Sequence, residues 1–172
     1  MSLAVWLDAL PREQAAEALL RCCGSRRWVE AMLAARPFAS DAAVFAAAER
    51  IWDRATPTDV REALAQHPEI GADVEALRRR FASTATWSQG EQAGMQGADD
   101  ATIIALRDGN LRYRERFGHV FVVCATGKGA AEMLALLQAR LGNDAARELD
   151  IARVEQGKIT RLRLEKLRDE NP

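Results

Sequence analysis

A chain of 172 residues is long enough for one domain with a sizeable core. Its 24 basic and 25 acidic residues leave a formal charge of −1, which excludes a general attraction to nucleic acid or an anionic membrane. No apolar run approaches the roughly 20 residues of a membrane helix, and neither terminus carries a secretory or peroxisomal address, so the expected compartment is the cytoplasm.

Ala, Leu, Arg, Glu and Gln dominate, and no alternating strand pattern persists, so the expected fold is all-α. In chain order, 11–23 opens at Pro11 and closes at Gly24. Segment 26–35 carries Trp28, Met32 and Leu33 and stops before Arg36-Pro37. Segment 40–55 starts near Ser40 or Asp41 and holds Val44, Phe45, Ile51 and Trp52. Thr56-Pro57-Thr58-Asp59 then combines a cap, a first-position proline and an acid in the first turn. That helix should end near Gln66, because His67 precedes a proline. A further helix is expected over 69–82, its Arg78-Arg79-Arg80 run reading as a solvated end. A long helix from Ser88 reaches Arg116, and Phe117–Cys124 turns apolar and β-branched, a buried extended segment. Helices at about 129–141 and 144–168 complete a single bundle of roughly seven to nine helices spanning residues 1–172.

Cys22, Cys23 and Cys124 form no CxxC pair and read as reduced, buried small hydrophobes. With only His67 and His119 besides, a metal site is not expected.

Three polar features stand out. Pro68 locks the backbone after His67, just past a helix end, so the imidazole is either a directed general acid–base or a polar helix terminus. Ser88-Gln89-Gly90-Glu91-Gln92 is a capping box, yet the same helix start favours an anionic ligand. In the last helix, Arg163 lies on the apolar row Ile159–Arg163–Leu167, whereas Arg161 lies on the solvated row Gly157–Arg161–Glu165. An arginine on an apolar row needs a partner, either an internal carboxylate or one on a substrate.

Six blocks in one order, over about residues 23–167, are similar to the OHCU decarboxylase family; OHCU is 2-oxo-4-hydroxy-4-carboxy-5-ureidoimidazoline. They begin with Cys23-Gly24-Ser25, Arg27-Trp28 and Arg36-Pro37-Phe38, and continue through His67-Pro68-Glu69-Ile70-Gly71 and Trp87–Gly94. Asn110–Tyr113 with Arg116-Phe117-Gly118, Phe121–Lys128 and Glu155–Leu167 follow. The resemblance implies an all-helical, cofactor-free, commonly dimeric enzyme that decarboxylates OHCU to (S)-allantoin, and hence a homodimer here. It implies catalytic roles for His67, Glu91 and Arg163, with Arg161 the alternative if the register slips. Pro68, Ser88 and Gln92 match ligand-binding positions, and Phe117, Val120 and Val122 fall in a loop that meets ligand partly through its backbone. His119-Val120 departs from the bulky apolar residue and proline that many members carry there. A non-catalytic helical interaction module is the rival reading. It would leave His67, Glu91 and Arg163 apart, where an enzyme would bring them together.

Overall fold

The computed structural model describes residues 2–67, Arg79 and 100–171. Among these residues the chain forms eight helices and no strand, in agreement with the expected all-α class. They are α1 (Leu3–Ala9), α2 (Arg12–Cys22), α3 (Arg26–Ala34), α4 (Asp41–Trp52), α5 (Pro57–Ala65), α6 (Asp100–Phe117), α7 (Ala130–Leu141) and α8 (Ala145–Glu170). The helix expected over 69–82 lies outside the described residues apart from Arg79, which is helical and exposed, and so does the 88–99 part of the long helix.

Contacts divide the chain into two compact units, Met1–Gln66 with Leu149–Pro172, and His67–Glu148. In the first unit, local chemistry sets the helix starts. The side chains of Ser2, Ser25 and Ser40 cap α1, α3 and α4 by accepting from backbone N–H groups three residues on. Thr56 and Asp59 form a reciprocal capping box around Pro57. Burial alone would raise the Asp59 pKa, but hydrogen bonds from the Thr56 backbone and hydroxyl, with the Arg27 guanidinium, hold it below the ordinary aspartate value. Pro11 precedes α2 as its cap instead of opening it, one residue off the expected boundary.

Leu3, Leu7, Leu19, Met32, Val44, Leu64 and Leu164 are fully buried in this unit. Two indole N–H groups there find a carbonyl: Trp28 donates to Ala48 O at 3.1 Å and Trp52 to Arg153 O at 2.9 Å. Arg36 ties the end of α1 to the turn that follows α3, donating to Asp8 O at 2.6 Å and Leu10 O at 2.8 Å. The Arg36-Pro37-Phe38 block therefore has a structural explanation.

In the second unit, α6 packs on α7 around Ile103, Leu106, Tyr113, Phe121, Met133 and Leu137. Gly109 permits the approach, because a Cβ there would fall 2.7 Å from Leu137 Cδ2. Gly118 adopts φ 73° and ends α6, its N–H donating to Arg114 O at 2.8 Å. The segment that follows is non-helical, with His119, Phe121 and Val122 buried, as their apolar, β-branched setting suggests.

Candidate active site

His67 is half-buried and follows directly on Gln66, the residue that caps α5. It stands, as expected, just past a helix end whose stop is set by Pro68. The end of α5 is seated against Gly24, where an added Cβ would come within 2.3 Å of Gln66 Cγ and 2.7 Å of Gln66 Cβ. Because Gln66 Cβ is anchored to the backbone, a side chain at 24 must displace the residue next to His67. Gly24→Ala is expected to destabilise the fold by about 1–3 kcal/mol and to lower turnover as well, read from thermal unfolding and kcat on one preparation. A variant matching wild type in both would show that the α5 terminus accommodates the displacement.

Arg163 on α8 meets the same turn. Its Nη1 donates to the carbonyl oxygens of Arg21 at 3.1 Å and Cys22 at 3.4 Å, at the C-terminal end of α2. These are carbonyls with no intrahelical partner, at the negative end of the helix dipole, where a cation is favourable. No carboxylate among the described residues pairs with Arg163. Of the two partners considered, an internal carboxylate is not found among the described residues, and backbone carbonyls engage Nη1. Arg161 differs. It pairs with Glu49 at 2.5 Å and Glu165 at 3.3 Å and lies over the Phe45 ring. Arg161 also lines a cleft of about 260 Å³ between α4 and α8, together with Phe45, Glu49 and Trp52.

Burial disfavours the thiolate form of the two cysteines beside this turn. Burial pushes Cys22 up to about 12 and Cys23 up to about 11, outweighing the nearby positive charge of Arg163. Both are free and buried, as expected, whereas Cys124 is only half-buried.

In the second unit, the Phe117–Val122 segment is clasped around one ring. Tyr113 is fully buried, with Phe117, His119 and Phe121 packed on it at centroid distances of 4.7, 5.5 and 5.3 Å. His119 and Phe121 are buried beside Tyr113, Phe117 and Val120 are half-exposed, and Val122 is 3% exposed. Of Val122, the backbone carbonyl is engaged: it accepts from Arg140 Nη1 at 2.6 Å.

Behind it lies a buried ionic cluster that sequence reasoning missed. Glu148, 0% exposed, accepts from Arg140 Nε at 2.6 Å, from Asn143 Nδ2 at 2.9 Å and from the Tyr113 hydroxyl. Burial, then the hydrogen bond to Glu148, raises the Tyr113 pKa well above the ordinary phenol value, so its hydroxyl remains a donor. Arg140 follows Met133 and Leu137 at helical spacing, so the apolar-row argument applied to Arg163 would also have found it. Pro68, Ser88, Glu91 and Gln92 lie outside the described residues.

Residues 8–165 match the family model for OHCU decarboxylase. The chain is 34% identical over 147 residues to the uric acid degradation bifunctional protein TTL of Arabidopsis thaliana. That alignment covers 85% of this chain and 45% of the relative, so the chain spans less than half of that protein's length. It is 36% identical over 139 residues to the 2-oxo-4-hydroxy-4-carboxy-5-ureidoimidazoline decarboxylase of Amia calva, covering 78% and 76% of the two chains. Among solved structures, an OHCU decarboxylase crystallised in the presence of (S)-allantoin superposes with a TM-score of 0.68 at 31% identity, covering 87% of this chain and 96% of that one. An (S)-allantoin synthase structure shares the fold at a TM-score of 0.67 and 19% identity, covering 95% and 53%.

These likenesses define the class, an all-helical fold common to a solved decarboxylase and a solved (S)-allantoin synthase. With the family model matching most of its length, the chain belongs to the OHCU decarboxylase family.

Proposed function

We propose that this chain is a carboxy-lyase that converts OHCU to (S)-allantoin and CO2 without a cofactor, the last step of urate oxidation to allantoin. The observation that carries the reading is the family match over residues 8–165, which takes in His67 and Arg163 and the segment between them. The chemistry agrees with it. The carbon that loses CO2 adjoins a ring C=N bond, so the electron pair of the breaking C–C bond has a sink within the substrate. The hydroxyl-bearing carbon becomes a carbonyl as its proton leaves, and the ureido-bearing neighbour gains a proton on one face.

Three tasks fall to the protein: orienting the carboxylate, handling the hydroxyl proton and choosing the protonated face. His67 takes or shares the hydroxyl proton and Glu91 positions or relays it. Ser88 and Gln92 hold the ureido and ring amides, and Pro68 with the Phe117–Val122 backbone, Val120 included, bounds the ligand. Arg163 anchors an anionic group with the guanidinium edge its carbonyl partners leave open. Its contribution is to binding, because holding the carboxylate more tightly than the transition state would slow its loss. The working unit is a homodimer, as the family resemblance implies, and the three free thiols support a cytoplasmic compartment.

The test generates OHCU in situ from urate with urate oxidase and hydroxyisourate hydrolase and follows circular dichroism. Fast growth of a persistent (S)-allantoin signal is expected. The slow, racemic spontaneous decay, unchanged by folded protein, would refute the activity. The same assay separates the two arginines. Arg163→Ala should lower kcat/KM by about tenfold to a hundredfold, the worth of a charged hydrogen bond. Arg161→Ala should stay within about twofold, because exposed ion pairs contribute little. The reverse pattern would transfer the anchoring role to Arg161.

A further inference from the structure

Among the described residues the Phe117–Val122 segment, which runs from the end of α6, has no strand partner, and its buried carbonyls call for side-chain donors. The guanidinium of Arg140 is arranged to do that. Its Nε and Nη2 both reach Glu148 Oε1, at 2.6 and 2.5 Å, while Nη1 points the other way to Val122 O at 2.6 Å. Its plane lies over the Phe121 ring at 4.7 Å. A lysine, with one point charge, could not satisfy both directions at once. Glu148 is in turn fixed by the Tyr113 hydroxyl and by Asn143, so the charge opposite Arg140 has no freedom to shift. Buried ion pairs are poor stabilisers, because desolvation offsets most of their attraction, and an apolar set of similar volume is often as stable. What this cluster supplies that an apolar set would not is a fixed direction for one loop carbonyl.

We propose that Arg140, locked by Glu148 and Tyr113, is a positioning residue that sets the ligand-facing backbone of Phe117–Val122. The inference rests on the reading of that segment as a substrate-contacting loop. It assigns Arg140 no contact with substrate: its effect passes through the Val122 carbonyl and the Phe121 ring.

The test replaces the cluster as a whole, Arg140→Met with Glu148→Leu and Tyr113→Phe, so that no charge or hydroxyl of the three is left without its partner. Three quantities are read: thermal stability, kcat and KM for OHCU, and hydrogen exchange of residues 118–124 with and without saturating (S)-allantoin. In wild type, (S)-allantoin should slow exchange across the segment. In the folded triple variant KM should rise by about tenfold, kcat should change less, and the ligand-dependent protection should be lost. A folded variant with wild-type KM and protection overturns the positioning role and leaves the loop reading intact. An active wild type whose segment shows no protection by (S)-allantoin overturns both. A wild type that does not turn over OHCU refutes the activity instead. Should the triple variant not fold, Tyr113→Phe alone, which keeps the ring and both charges, is judged on the same three quantities, with a smaller rise in KM expected.

Discussion

Asparagine in place of His67 is expected to lower kcat by about 10²–10⁴, the usual worth of a positioned acid–base group. The amide keeps a polar side chain of similar reach but cannot take up and release a proton. Stability should change little, because His67 is only half-buried and lies beyond the α5 cap. The check is kcat from circular dichroism alongside a thermal melt of the same sample. Near-full activity in a folded variant would remove His67 from the chemistry and return it to the role of a polar helix terminus. Lost activity accompanied by lost folding would be uninformative about catalysis, so the melt is half of the experiment.

Arg140→Met made alone should be the most destabilising single change considered, at about 3–5 kcal/mol. It strands Glu148, which is 0% exposed and whose remaining partners are the neutral Tyr113 hydroxyl and the Asn143 amide. It also leaves the Val122 carbonyl without its charged donor. For a chain of this size the melting temperature should fall by roughly 10 °C. Adding Glu148→Leu to the same variant should recover most of that loss, since both charges then leave together. A single variant that loses under about 1 kcal/mol would mean that Glu148 finds other partners when Arg140 is absent, and that the cluster is less closed than its geometry indicates.

Much of the fold was legible because helix limits are written in short-range chemistry. Ser25, Ser40 and the Thr56–Asp59 box start their helices, and Gly24 and Pro68 mark stops, through contacts within a few residues of themselves. Where the expectation failed, the cause was longer-range. Helix α1 is only seven residues, too short to announce itself by periodicity; Ser2 caps it, and Asp41, 37 residues away, accepts from Ala4 N. The 40–55 helix stops at Trp52, where the chain turns into the Thr56 cap.

For the site, the sequence by itself determined which residues could act: a histidine followed by proline past a helix end, and an arginine on an apolar row. It also favoured Arg163 over Arg161, because helical spacing places one among Ile159 and Leu167 and the other beside Glu165. Only the tertiary structure decided what those groups meet. Arg163 finds the carbonyls of α2, some 140 residues earlier. Tyr113, Arg140 and Glu148 close into one buried cluster whose members come from three helices. The physical reason is one of range. Caps and turns are satisfied by neighbours along the chain, whereas the partner of a buried charge is whichever group the packing brings to it.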